Sequence, residues 1–121
     1  MSIESTVIEI DLENMRRHTG EAVRLLKVLA NERRLMILCL LAEGEFSVSE
    51  INTRIDLSQS ALSQHLALLR EDGLVHTRRS AQTIYYRLAD GPAFAIIDLL
   101  HDLYCSTGPC QSGPATATDE S

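Results

Sequence analysis

Two sets of residues in this chain could do chemistry. One is a trio of cysteines, Cys39, Cys105 and Cys110. The other is a run of hydrogen-bonding side chains, Gln59, Ser60, Ser63 and Gln64, with His65 beside them. No Cys-x-x-Cys occurs, and no Cys, His and carboxylate set has a catalytic spacing, so an enzyme is not expected. Three cysteines without a secretory leader do not read as a disulfide framework, and thiols in a reducing compartment matter for reactivity or metal binding. Taken alone, Cys39 reads as an inert buried thiol, because free cysteine is among the most buried residue types. The polar run reads differently. Leu62, Leu66 and Leu69 recur at helical spacing and should face inward, which leaves the polar set on the opposite side. An ordinary solvated helix face would carry Glu and Lys, yet Gln59 to Leu69 holds no charge apart from a protonatable His65. A helix fits the DNA major groove, where Gln pairs bidentately with adenine and Ser serves either base type.

The elements that must position these side chains are legible around them. Ser47-Val48-Ser49-Glu50 is a capping box, in which Ser47 bonds the free amide of Glu50 and Glu50 reaches back. A short helix should follow through Arg54. Ile55-Asp56-Leu57 makes a tight connection, and Ser58 caps a second helix, Gln59 to Asp72, which stops at Gly73. Two β-prone runs, Leu74 to Arg79 and Thr83 to Leu88, are joined by Ser80-Ala81-Gln82. The fold class expected is mainly α with a β-hairpin wing, a winged helix-turn-helix. Ser58 joins the polar set at the start of the reading helix. In the wing, Arg78 and Arg79 precede the turn, and Gln82, Thr83 and Tyr86 follow it. Arg at a ribbon tip clamps phosphate or enters the minor groove; the plainer reading is a solvated hairpin. Ile84, Tyr85 and Leu88 are expected to fill the ribbon.

The remaining chain reads as support. Residues 1–11 form a loose arm. Leu12 to Ala30 reads as one long helix with Met15, Ala22, Leu25, Leu26 and Leu29 along one side and Gly20 weakening its middle. That side serves either the core or a dimer seam. Asn31 caps a helix from Glu32 to Glu43, closed by Gly44. Seven consecutive apolar residues, Leu35 to Leu41, predict a helix buried on all sides at the centre of the domain. Asp90-Gly91-Pro92 turns the chain into a last helix, Ala93 to Tyr104, whose apolar surface is broader than one stripe. Residues 106–121, rich in Ser, Thr, Gly, Pro and Ala, lack core residues and should be disordered. One winged-helix domain over residues 12–105 is therefore expected, and 45% hydrophobic residues suffice for its core. No run reaches the roughly 20 apolar residues of a membrane span, so the expected location is cytoplasmic. The net charge of −6 argues against a general polyanion binder, but Arg54 to Arg87 holds five Arg against three acids. An acidic body with a basic face implies orientation-selective, salt-dependent binding to DNA.

Asn31-Glu32-Arg33-Arg34-Leu35, the run Leu57 to Leu66, Gly73-Leu74-Val75 and the wing together resemble the ArsR/SmtB family of bacterial winged-helix repressors, over roughly Ala22 to Cys105. The resemblance implies a homodimer, joined through the leading and last helices, that binds double-stranded operator DNA and releases it when an inducer binds. Its two reading helices would sit about one DNA turn, ~34 Å, apart over a near-palindrome. Where the family's cadmium, lead and arsenic sensors carry Cys-x-Cys, this chain has Val48 to Arg54, without cysteine. Where its zinc sensors carry Asp-x-His and His-x-x-Glu, this chain has Asp98, His101 and Asp102, too few ligands for a closed zinc site. No metal or cofactor is therefore expected, and His18 and His76 are assigned nothing. Leu38-Cys39 and Leu99 to Cys105 are similar to the HlyU/BigR/SqrR-like branch, in which two cysteines at matching places act as a dithiol switch. That likeness implies that Cys39 and Cys105 sense reactive sulfur species, with oxidants as secondary inducers: one thiolate takes a sulfane sulfur and the second resolves it into a bridge. Cys110 departs from the shared pattern. Two other readings stay open: a trivalent arsenic sensor using Cys39, Cys105 and Cys110, and an interaction module that does not bind DNA.

Overall fold

A computed structural model describes residues 7–105. Its centre is α3, Glu32–Leu41, whose Asn31 cap accepts from the Arg34 amide at 3.0 Å. Ile37, Leu38 and Leu41 of α3 are at most 2% exposed. Around them close α2 (Thr19–Leu29), α4 (Val48–Arg54), α5 (Gln59–Glu71), the hairpin β2 (Val75–Ser80) and β3 (Thr83–Leu88), and α6 (Pro92–Cys105). Val28, Leu29, Ile51, Leu62, Leu66, Leu69, Val75, Leu88 and Ile97 supply the inward side chains. All are aliphatic, in a chain with two Phe, three Tyr and no Trp.

The helix-turn-helix is α4 and α5, and its joints are satisfied by side chains. The Ser47 amide donates to Glu50 Oε1 at 2.8 Å, and the Glu50 amide donates to Ser47 Oγ at 3.2 Å, the reciprocal pair of a capping box. In the turn, Asn52 Nδ2 donates to the Leu57 carbonyl at 2.9 Å and Arg33 Nη1 to the Asp56 carbonyl at 3.1 Å. These bonds occupy backbone acceptors that neither helix can reach. Helix α5 ends in a Schellman pattern: the Leu74 amide donates to the Leu69 carbonyl, the Gly73 amide to the Arg70 carbonyl, and Gly73 takes φ +76.

Four details differ from the sequence expectations. The leading helix is two, α1 (Leu12–Arg17) and α2, broken at His18 with φ −111 and ψ 8. The Thr19 hydroxyl donates to the Met15 carbonyl, and His18 Nδ1 lies 3.0 Å from the Asn14 carbonyl, so side chains compete with the helical ladder. Nothing in α1 is buried, so no packing enforces continuity. Of the side expected to serve either the core or a dimer seam, Leu29 is buried, whereas Met15 and Leu26 are exposed. Helix α3 is not covered all round: Met36 is 55% exposed, and Cys39 and Leu40 are half-buried. A third strand, β1 (Phe46–Ser47), pairs with β3 through Phe46 opposite Tyr86 and Ser47 opposite Tyr85, giving the antiparallel order β1-β3-β2. Two residues between a glycine turn and a helix cap carry no alternation to reveal them. Finally, Ser80 pairs with Thr83, so the wing turn is Ala81-Gln82 alone, with Ala81 at φ +57. Among the described residues no helix is long and apolar enough to cross a membrane.

Candidate DNA-reading face and cysteine pair

Helix α5 presents Gln59, Ser60, Ser63 and Gln64 to solvent, because Leu62, Leu66 and Leu69 pin the other side at 1% exposure or less. Ser58 precedes them as the cap, its hydroxyl accepting from the Ala61 amide at 3.1 Å. His65 does not share this face. It is half-buried and turned toward the start of α3, where burial first, and then Arg34 and Arg33, lower its pKa and favour the neutral ring. Its position follows from a heptad angle close to the leucines, which the simple listing of polar residues hid.

The wing splits the other candidates. Arg79, Gln82 and Thr83 are exposed at its tip. Arg78 is engaged: its Nη2 and Nε donate to the Glu45 carboxylate at 2.8 and 3.1 Å, and its guanidinium lies 4.8 Å from the Tyr85 ring centroid. The Arg78 guanidinium holds the Glu45 carboxyl below its usual range, with Arg87 adding to the pull. Tyr86 is half-buried and shares a hollow with Ser63, Ala67 and Arg70, between the wing and the reading helix. Arg70, His76 and Arg87 line a neighbouring groove at the base of the wing. Sequence reasoning did not single these three out. The signal was present, since Arg70 lies two helical turns past Ser63 and His76 stands opposite Arg87 in the ladder.

At the other end of α5, the Asp72 side chain is 6% exposed and accepts from Arg24 of α2 at 2.6 Å. This ion pair ties the leading helix to the end of the reading helix.

The cysteines belong to a different region. Cys39 lines a groove of about 530 Å³ formed by Met36, Cys39 and Leu40 on α3, Glu43 in the turn after it, Phe94, Ile97, Asp98 and His101 on α6, and Arg54-Ile55. Met36, Cys39 and Leu40 follow i, i+3, i+4 spacing and so form one face. Cys105 follows His101 by four residues on α6, one turn further along the same side. Both thiols are free, Cys39 half-buried and Cys105 exposed. Burial pushes the Cys39 thiol up, and the neighbouring Cys105 pushes it further, so the two groups feel one another. Cys110 and the tail expected over 106–121 lie outside the described residues, as do residues 1–6 of the arm.

A capped helix-turn-helix, a reading helix with an uncharged polar face and a hairpin wing beside it define a winged-helix DNA-binding regulator. Residues 31–77 match the model of the bacterial regulatory protein, arsR family. The chain is 56% identical over 96 residues to the transcriptional activator HlyU of Vibrio cholerae, covering 79% of this chain and 89% of that one. It is 47% identical to the biofilm growth-associated repressor of Agrobacterium fabrum, covering 81% and 84%. The structure of reduced HlyU from Vibrio cholerae superposes with a TM-score of 0.72 at 57% identity, over 77% of this chain and 98% of that one. The chain belongs to the ArsR family of bacterial transcriptional regulators, in its HlyU/BigR-like branch.

Proposed function

We propose that this regulator is a cytoplasmic homodimer that represses from a near-palindromic operator and releases it when reactive sulfur species modify Cys39 and Cys105. The observation that carries the reading is the placement of the two free thiols, Cys39 in the groove between α3 and α6 and Cys105 one turn beyond its His101, near enough that Cys105 raises the pKa of Cys39. The likeness to HlyU, one structure of which is described as reduced, supports a redox-active pair.

In this reading the DNA contacts come from Gln59, Ser60, Ser63 and Gln64 in the major groove and from Arg79, Gln82 and Thr83 at the wing tip. Ser58 holds the start of the reading helix in place. Arg78 and Tyr86 shape the wing, through Glu45 and through the hollow shared with Ser63. His65 acts from the flank as a neutral ring. The subunits pair through exposed apolar residues of the outer helices, including Leu12, Met15 and Leu26 on one side and Leu99 and Leu103 on the other.

The Cys39 thiolate attacks a sulfane sulfur, and Cys105 then resolves the product into a bridge of two or more sulfurs. A raised thiol pKa makes Cys39 a sparse nucleophile at neutral pH, which favours donors with a good leaving group over peroxide. The bridge ties α3, against which the reading helix packs, to α6, which lies at the subunit seam. Both reading helices must fit their half-sites together, so altered spacing lowers affinity for the duplex.

The test is operator binding by the native chain and by Cys39→Ser, Cys105→Ser and Cys110→Ser, each reduced or treated with a persulfide donor. Release is expected to vanish in the first two variants and persist in the third. Release that survives loss of Cys39 or Cys105 overturns the reading. Release that needs Cys110 as well turns it toward a three-thiolate metalloid sensor.

A further inference from the structure

The groove beside Cys39 has walls and a rim of different chemistry. Met36, Leu40, Ile55, Phe94 and Ile97 make it apolar, and its volume of about 530 Å³ lies within the range of small-molecule sites. Glu43 and Asp98 stand on its rim, both exposed. Among the described residues, neither carboxylate belongs to an ion pair. The one Arg that lines the groove, Arg54, has its guanidinium 5.2 Å from the Phe46 ring centroid, and Phe46 does not line the groove. The reactive sulfur of Cys39 is therefore approached past apolar side chains, two unpaired carboxylates, His101 and the single Arg54 cation, so that carboxylates outnumber the arginine two to one.

We infer that this groove selects uncharged, apolar polysulfides, of which small dialkyl trisulfides are the type, over anionic sulfur donors. The inference rests on the dithiol reading and names its substrate class. The chemistry balances without a further reagent. The Cys39 thiolate attacks the central sulfur of R–S–S–S–R, forming Cys39–S–S–S–R and expelling one alkyl thiolate, which takes up a proton. The Cys105 thiolate then attacks the middle sulfur of that adduct, expels the second alkyl thiolate and leaves Cys39–S–S–S–Cys105. Two protein thiols are oxidised by two electrons, and the trisulfide is reduced to two alkyl thiols. Apolar alkyl groups gain from burial against Phe94, Met36 and Leu40. A dianion meets the like charges of Glu43 and Asp98, each of which costs about a fivefold drop in encounter at a separation of ~4 Å in water, less as salt screens it.

The experiment uses the full chain carrying Cys105→Ser and Cys110→Ser, so that Cys39 alone reports. Mass spectrometry follows its modification by diethyl trisulfide and by the same molecule with a sulfonate on each end. The same pair is run against a neutral cysteine derivative to remove intrinsic reactivity. After that correction the neutral donor is expected to react about tenfold faster, and Glu43→Gln with Asp98→Asn is expected to bring the two within about twofold. A corrected ratio near one in the parent protein overturns the inference. So does a preference that survives both charge removals at full size and at low salt. Operator release in Cys39→Ser tests the underlying reading separately, because the rate ratio does not depend on DNA.

Discussion

The reading head and the helical flank of this protein are built to different degrees of completion. In the head, α4, α5 and the wing close on themselves: caps and turn carbonyls find partners within the chain, β3 is paired on both sides, and Leu62, Leu66 and Leu69 are fully covered. In the flank, α1, α2 and α6 leave Leu12, Met15, Val23, Leu26, Phe94, Leu99, Leu103 and Tyr104 between 42% and 81% exposed. Large apolar side chains left bare in this number suit an interaction surface. One chain therefore covers the core of its helix-turn-helix and wing but leaves apolar side chains of its outer helices bare. The cysteines sit at the boundary between the two regions, on the helix behind the reading head and on the helix of the unfinished flank.

The largest expected break of this contrast is inside the head. Leu66→Ala empties a fully packed site and should cost about 2–5 kcal/mol in urea unfolding. A loss below 1 kcal/mol would mean that the head is not the rigid half. On the flank, Leu99→Glu with Leu103→Glu should leave the fold intact by circular dichroism yet give a monomer in sedimentation, with operator affinity down at least a hundredfold. A stable dimer would show that the seam lies elsewhere. Gln64→Ala should remove about 1–3 kcal/mol of base discrimination while leaving the melting temperature within a degree or two. Equal loss on specific and random DNA would place Gln64 at the phosphate backbone. Ser47→Ala should cost about 1 kcal/mol through the capping box, read by thermal unfolding.

The smallest effect concerns pH. The folded state raises the pKa of Cys39, so it favours the protonated thiol. That contribution to stability is present below the unfolded thiol pKa and lost as pH rises through the folded one. Alkylation of Cys39 in the Cys105→Ser, Cys110→Ser background should be slower than in the urea-unfolded chain at pH 8. It should also keep rising with pH after the unfolded chain has levelled. Parallel profiles would remove burial as the control on its reactivity.

The local chemistry of the head was legible in the order of residues. Ser47 and Glu50 stand three apart, Ser58 precedes a leucine repeat and Gly73 ends it, because caps, helical faces and left-handed turns depend on neighbours within a few positions. The HlyU/BigR-like branch was legible as a likeness in the stretches around Cys39 and Cys105. What proximity in sequence could not supply came from packing. His65 leaves the reading face because its angle on α5 brings it to Arg33 and Arg34, and Arg78 is drawn from the wing tip by Glu45, 33 residues earlier. The Phe46-Ser47 strand exists only because β3 folds back beside it. Seven apolar residues in α3 announced a core helix, but its uncovered side depends on where α6 crosses, and that crossing makes the groove that holds Cys39. The order of amino acids decided which helices form, where they stop and which faces are polar, since those are short-range preferences. The tertiary structure alone decided which charges are paired, which thiol is half-buried and what stands at its entrance, since each depends on side chains brought together from distant parts of the chain.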